Sequence, residues 1–435
     1  LNYALAFLLL LFPLVIFHEM GHFLVAKLFG IRVTKFAFGF GRELFRFHFK
    51  GTDYRWNLIP LGGYVDLMGE VSVIGKIPED PAHFYNRPKW VRFLVMVMGP
   101  LFNLILAFLL YWFIFAQPQR VVVIQDNPLT VGFVVESSPE YRAGLRPGDK
   151  ILTINGVEIG TFDKAFQELV LLPKKEALLE VERDGLPVEV KYVVPASEKD
   201  GVGEISFSPG IYMVVDEVVS GSPAETAGLE AGDIILEAEG QKLFYSGLHN
   251  MLSEVIDKKA GDGVSLTLNR QGQTLQTEVT PEPSEEGKLL IGVRLMFDYE
   301  SRDPSWGEAA RLGWSEFKTS STMIFRAIRL LTKGDLPVKS LSGPIELGRV
   351  AKEQLERGWI NFLGLMALLS LNLGIFNLIP IPVLDGGEIF VLLIEGVTRR
   401  EFSLQTKFNI KIVGFLLLLG LMAVILVSDA LKLFS

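Results

Sequence analysis

Apolar residues fall into four dense blocks, and the stretches between them have different periodicities. The blocks run from Leu1 to about Leu28, Phe93 to Phe115, Ile360 to about Ile381, and Ile412 to about Val427. As helices the first three are long enough to cross a hydrocarbon layer of about 30 Å, and the fourth needs its flanks to do so. Residues 36–58 instead alternate apolar and polar positions around Gly51-Thr52-Asp53, which predicts a β-hairpin. Trp306, Ala310, Gly313, Phe317, Ile324, Ile328 and Leu331 recur at helical spacing, with Arg311, Lys318, Arg326, Arg329 and Lys333 mainly on other faces. That pattern predicts an amphipathic helix over 304–333, too polar to span, lying on the membrane surface or against a neighbouring domain.

The segment between the second and third blocks contains an internal repeat. Val134 to Gly156 reads VVESSPEYRAGLRPGDKILTING, and 84 residues later Val218 to Gly240 reads VVSGSPAETAGLEAGDIILEAEG without a gap. Each copy has an apolar strand, a Ser-Pro start to a short helix, and a Gly-Asp turn feeding an alternating strand. The unit resembles the bacterial PDZ domain, an α+β module whose exposed sheet edge accepts an extended peptide. The expected bounds are 120–205 and 211–297, between membrane parts at 1–116 and 358–435.

Charge sets an expected topology. Ala26 to Arg92 carries eleven Lys or Arg, and the short segment between the last two spans carries Arg399, Arg400, Lys407 and Lys411. The positive-inside rule puts both in the cytoplasm, and the repeat on the opposite side. The net charge of −8, without any Lys/Arg-rich run, excludes a broad nucleic-acid-binding surface. With no Cys in the chain, a metal site must use His and carboxylates. The first block lacks a basic leader and a small-residue cleavage site, so it is expected to stay as a span. The chain begins at Leu1 rather than Met, and a few residues are expected to precede it.

The first block contains chemistry as well as apolar bulk. In FHEMGHFL, His18 and His22 stand four apart on one helix face, close enough to share a metal ion, with Glu19 beside them. A charged carboxylate at membrane depth costs about 2.5–3.5 kcal/mol on insertion scales, so Glu19 needs a partner, and a metal is one. A catalytic zinc site usually has three protein ligands and one open position. His48, His83 and His249 lie on polar ground away from the first span. Asp385, in NLIPIPVLDGGE at the end of the third block, is the better third ligand, although the same residue could simply cap a helix.

HEMGH, GPLFN (Gly99 to Asn103) and NLIPIPVLDGG together resemble the site-2 protease family, and tandem PDZ-like units between the second and third spans fit its bacterial members. The resemblance covers essentially the whole chain. It implies an intramembrane zinc metalloprotease with His18, His22 and Asp385 as zinc ligands and Glu19 as general base. It further implies that Asn377, Pro380 and Pro382 contact substrate, and that the hairpin is a re-entrant β-structure near the active site; by strand addition its edge could pair with an unwound substrate, the alternative being a cytoplasmic surface hairpin. The implied setting is a bacterial inner membrane, with the site toward the cytoplasm and the PDZ-like units in the periplasm. Implied partners are membrane lipid and single-span proteins, such as an anti-sigma factor already trimmed outside, or leftover signal peptides. Two other readings compete: a non-catalytic PDZ scaffold, which has no use for a metal triad, and a membrane-anchored zincin acting on soluble proteins, whose HExxH should lie outside the apolar block.

Overall fold

The computed structural model describes residues 3–68, 80–122, 129–197, 201–243, 251–259, 261–283, 288–297, 299–337, 341 and 343–432. Two compact units form, one from 1–117, 304–329 and 338–435, the other from 118–303 and 330–337. In the first, α1 (Tyr3–Leu28) leads into two long strands, β1 (Val33–Phe49) and β2 (Thr52–Leu67), and then α2 (Lys89–Phe115).

The expected hairpin is a larger object. Phe45, Arg46 and Phe47 pair with Trp56, Arg55 and Tyr54. Phe36, Ala37 and Phe38 then pair with those same three residues on one side, and with Val65, Tyr64 and Gly63 on the other. Both long strands are therefore bent, and four segments lie side by side in the order 43–49, 52–57, 33–38, 63–67. Gly39, Gly41 and Gly62, all at positive φ, make the bends that a simple alternation pattern does not reveal. The tip turn is Lys50-Gly51 rather than Gly51-Thr52-Asp53, because both take positive φ, as a tight two-residue turn requires.

The second unit begins with β3 (Gln119–Val122). The first repeat copy then runs β4 (Leu129–Val134), α3 (Pro139–Arg142), β5 (Lys150–Ile154), β6 (Val157–Glu158), α4 (Phe162–Val170), β7 (Glu176–Arg183), β8 (Leu186–Val193) and β9 (Phe207–Pro209). The second copy runs β10 (Met213–Val218), α5 (Pro223–Thr226), β11 (Ile234–Ala238), β12 (Gln241–Lys242), α6 (Met251–Lys258), β13 (Val264–Arg270), β14 (Gln273–Val279), β15 (Glu282–Pro283), β16 (Leu289–Leu290) and β17 (Val293–Phe297). After it, β18 (Tyr299–Arg302) pairs back with β3. The sheet orders β8-β7-β5-β4-β9 and β14-β13-β11-β10-β17 are the same PDZ-like arrangement twice, each around its own apolar core.

The residues that define the repeat are structural. Ser138 and Ser222 cap the short helices, accepting from the N–H groups of Tyr141 and Glu225. Asp149 and Asp233, both fully buried, take paired hydrogen bonds from Arg183 and Arg270. Burial opposes ionisation of Asp233, but the Arg270 hydrogen bonds and charge outweigh it and hold the carboxyl below the usual range. Its contribution to stability is therefore complete above the unfolded value of about 3.9 and is lost as pH falls through the depressed folded value. Limited proteolysis of the second copy should accelerate below about pH 4, and Asp233→Asn should remove that step. Cleavage rates with the same acid profile in both proteins would contradict this role.

Back in the first unit, α7 (Trp306–Lys333) is the amphipathic helix, and its small-residue face lies on the spans. Gly313 has no room for a Cβ against the Tyr111–Trp112 backbone, and Ile324 packs with Ala107, Leu371 and Ile375. Helix α8 (Pro344–Arg357) precedes α9 (Trp359–Leu378), and α10 (Asp385–Thr398) and α11 (Leu404–Lys432) follow. Four helices are long and apolar enough to cross a membrane: α1, α2, α9 and Gln405–Val427 within α11. The fourth does draw on its flanks, as expected. Helices α8 and α10 were not anticipated, the first because it is too polar to stand out and the second because it merges with an apolar block in sequence.

Candidate metal centre

The site forms where α1, α2 and α10 converge, and glycine sets the distance of approach. A Cβ on Gly99 of α2 would overlap the His22 ring, and one on Gly21 of α1 would overlap the Met98 carbonyl. Gly99→Ala is therefore expected to push α2 away and displace His22, with most metal and activity lost while the four spans remain helical. Zinc content with far-UV circular dichroism checks this, and a metal-replete Gly99→Ala protein would contradict it.

Asp385 does not extend α9. That helix ends at Leu378, before Pro380 and Pro382, which cannot continue its hydrogen bonding. The chain turns through Val383 at φ 85, a left-handed conformation costly for a β-branched residue. Asp385 then opens α10, and Gly386 and Gly387 pack on the carbonyls of residues 378–381 where no side chain fits. The far end of α10 is pinned: buried Glu395 pairs with Lys407 of α11 at 2.8 Å, accepts from the Phe402 N–H, and offers its carbonyl to Lys89 of α2. Glu388 pairs with Lys411 at 2.7 Å.

His18 Nε2, His22 Nε2 and Asp385 Oδ2 face one another at separations of 3.1, 3.3 and 3.4 Å. A tetrahedral site with ligand bonds of about 2.0–2.1 Å has edges of about 3.3–3.4 Å, so the three atoms are spaced to share one zinc. Hydrogen bonding gives the same answer. The His22 Nδ1–H donates to the Val95 carbonyl at 2.8 Å, which leaves Nε2 a bare lone pair. The fully buried Asn103 amide sits 3.4 Å from His18 Nδ1, and its Oδ1 is otherwise without a partner. With that oxygen turned toward the ring, it accepts the Nδ1–H and leaves His18 Nε2 bare as well. Asp385 Oδ2, buried, has no hydrogen-bond donor. Three converging lone pairs repel unless a cation sits among them, so the residues fit a metal.

A cavity of about 240 Å³ opens beside the triad, lined by Glu19, Tyr64, Val65 and Asn377 as well as by the three converging residues. The Glu19 carboxyl accepts from the Val65 N–H, and a Cβ at Gly63 would crowd Glu19 and Val15. The sheet thus lays its 63–67 segment along the cavity. Asn377 therefore lies at the site; Pro380 is exposed at the end of α9, and Pro382 packs against Gly414 of α11. His48 is bonded to Asp53, and His249 lies outside the described residues. Asn103 was visible in the GPLFN motif, but nothing in sequence showed it bearing on His18.

A candidate metal site with an adjacent glutamate, on a chain with four helices long and apolar enough to cross a membrane, fits an intramembrane zinc metalloprotease. Comparison with known proteins agrees: the chain matches the model of peptidase family M50 over residues 6–421 and belongs to that family. It is similar to the regulator of sigma E protease of Haemophilus influenzae, 30% identical over 450 residues covering 98% of each chain. It is also similar to the regulator of sigma-E protease RseP of Escherichia coli, 30% identical over 451 residues covering 98% of this chain and 97% of that one. Among solved structures, the PDZ domain of an SdrC-like protein from Listeria monocytogenes is 26% identical, covers 19% of this chain and 86% of its own, and has a TM-score of 0.16.

Proposed function

We propose that the protease cuts single-span membrane proteins within the bilayer, an anti-sigma factor above all, after their outer domain has been trimmed. The names of its relatives as regulators of sigma E favour that substrate class. In this reading His18, His22 and Asp385 hold zinc, which supplies a Lewis acid and lowers the pKa of water to about 7. Glu19, in the same cavity, takes the proton from the attacking water and returns it to the leaving amine. His22 and His18 keep their Nε2 lone pairs inward through Val95 and Asn103.

A helical substrate hides its amides in its own hydrogen bonds and must be unwound to be cut. The 63–67 segment supports an extended substrate better than the 36–58 stretch does: it is outermost in the sheet and lines the cavity, so a substrate strand can add to it. Asn377 lines the same cavity as a further contact. The basic 26–92 and 399–411 segments favour placing the site toward the cytoplasm of a bacterial inner membrane, with the repeat copies, at about 120–205 and 211–297, outside.

There the copies act as a filter that admits only trimmed substrates. Removal of residues 120–297 should let the enzyme cut an untrimmed single-span substrate at a rate approaching that for the trimmed form. Equal resistance of the untrimmed substrate with and without the insert overturns the filter. The observation that carries the protease reading is that the triad and Glu19 line one cavity, with His18, Glu19 and His22 on a helix long and apolar enough to cross a membrane.

A further inference from the structure

Val383 stands where a glycine would be expected. The Leu384 N–H donates to the Ile381 carbonyl at 3.2 Å and closes a four-residue turn, with Pro382 in its second position and Val383, at φ 85, in its third. That is the arrangement of a type II turn, whose third position favours glycine or asparagine because φ there is positive. The seven other non-glycine residues at positive φ among the described residues are all polar, and none is β-branched. A valine at this place strains the backbone, and glycine would make the same turn without strain. What glycine would not supply is the side chain.

That side chain belongs to a wall shared by two cavities. One, of about 240 Å³, holds the triad and Glu19. The other, of about 380 Å³, reaches Glu388, Lys411, Ile412 and Phe415. Met96, Val383, Leu384 and Asp385 line both, and of these four Val383 alone is exposed, at 42%. Side chains of an extended chain leave it on alternate sides, so the two residues that flank a scissile bond point in opposite directions.

We infer that Val383 is a specificity-determining residue: its side chain narrows the way from the first cavity into the second, so that a small residue beside the scissile bond is accepted and a large aromatic one is rejected. The left-handed turn is what carries that side chain into the site. The inference rests on the protease reading and adds to it a selectivity that neither the metal triad nor Glu19 provides.

The test uses the full chain in detergent and two single-span substrates that differ only in carrying Ala or Phe on both sides of the scissile bond, with zinc content and melting temperature measured on each protein. Wild type should cut the Ala form at least about tenfold more efficiently by kcat/KM, the discrimination that a filled apolar pocket gives. Val383→Ala keeps the strain but shortens the side chain, and Val383→Gly removes both; each should lower the ratio to about threefold or less by gaining on the Phe form. Val383→Asn suits the turn but keeps the bulk, and should hold the wild-type ratio. Zinc content should be the same throughout, and Val383→Gly should melt no lower than wild type. Differences in how readily the two substrates unwind are common to all the enzymes and cancel in the comparison. Val383→Ala decides the matter should the glycine variant unfold. A wild type that cuts both substrates alike, an unchanged ratio in folded, zinc-bound Val383→Ala, or a ratio relaxed as far in Val383→Asn overturns the inference, whereas a wild type that cuts neither overturns the protease reading beneath it.

Discussion

Glu19→Gln is expected to leave zinc in place and remove proteolysis. The side chain lines the cavity beside the triad but is not one of its three converging atoms, so the amide keeps the metal and the packing while losing the proton acceptor. Loss of a positioned general base typically costs about 10²- to 10⁴-fold. The upper end is expected, because the other carboxylate lining the cavity is Asp385, which is assigned to the metal. Single-turnover cleavage of a single-span model substrate in detergent, with zinc measured in the same preparation, reads both quantities. A metal-replete Glu19→Gln enzyme within about tenfold of wild type would assign the proton transfer elsewhere.

The second large effect belongs to Asp385→Ala. Two imidazoles remain, one protein ligand short of a usual catalytic zinc site, and Lewis-acid stabilisation worth several kcal/mol goes with the metal. Turnover should fall by at least about 10³-fold and stay low in excess zinc. The change should not unfold the region, because α10 is held at its other end by Glu395, Lys407 and Lys89. Normal turnover on added zinc would place the third ligand elsewhere.

The signals legible in sequence were those carried by local pattern. Apolar length gave four spans, a four-residue histidine spacing gave two of the three candidate metal ligands, and a gap-free repeat gave two copies of one domain. The features that escaped it depend on contacts distant along the chain. The bends at Gly39, Gly41 and Gly62 turn an alternating stretch into a four-segment sheet, and only the fold shows that 63–67, rather than 36–58, borders Glu19. Asp385 was read as lying at the cytoplasmic end of the third span, as a metal ligand or a helix cap; what the fold adds is that Val383 at φ 85 reverses the chain and Asp385 opens a separate helix. Asn103 and Gly99 lie in a motif that was noticed, but their bearing on His18 and His22 rests on how closely α1 and α2 approach.

The most direct test of the centre is X-ray absorption at the zinc edge on purified wild-type chain beside Asp385→Ala. One zinc per chain, in a shell of about four light atoms at about 2.0–2.1 Å that includes two imidazoles, is the predicted wild-type result. In Asp385→Ala, zinc should be lost or its shell altered. A wild-type chain without stoichiometric zinc, or the same shell in both proteins, would contradict the assignment of His18, His22 and Asp385 as the metal ligands.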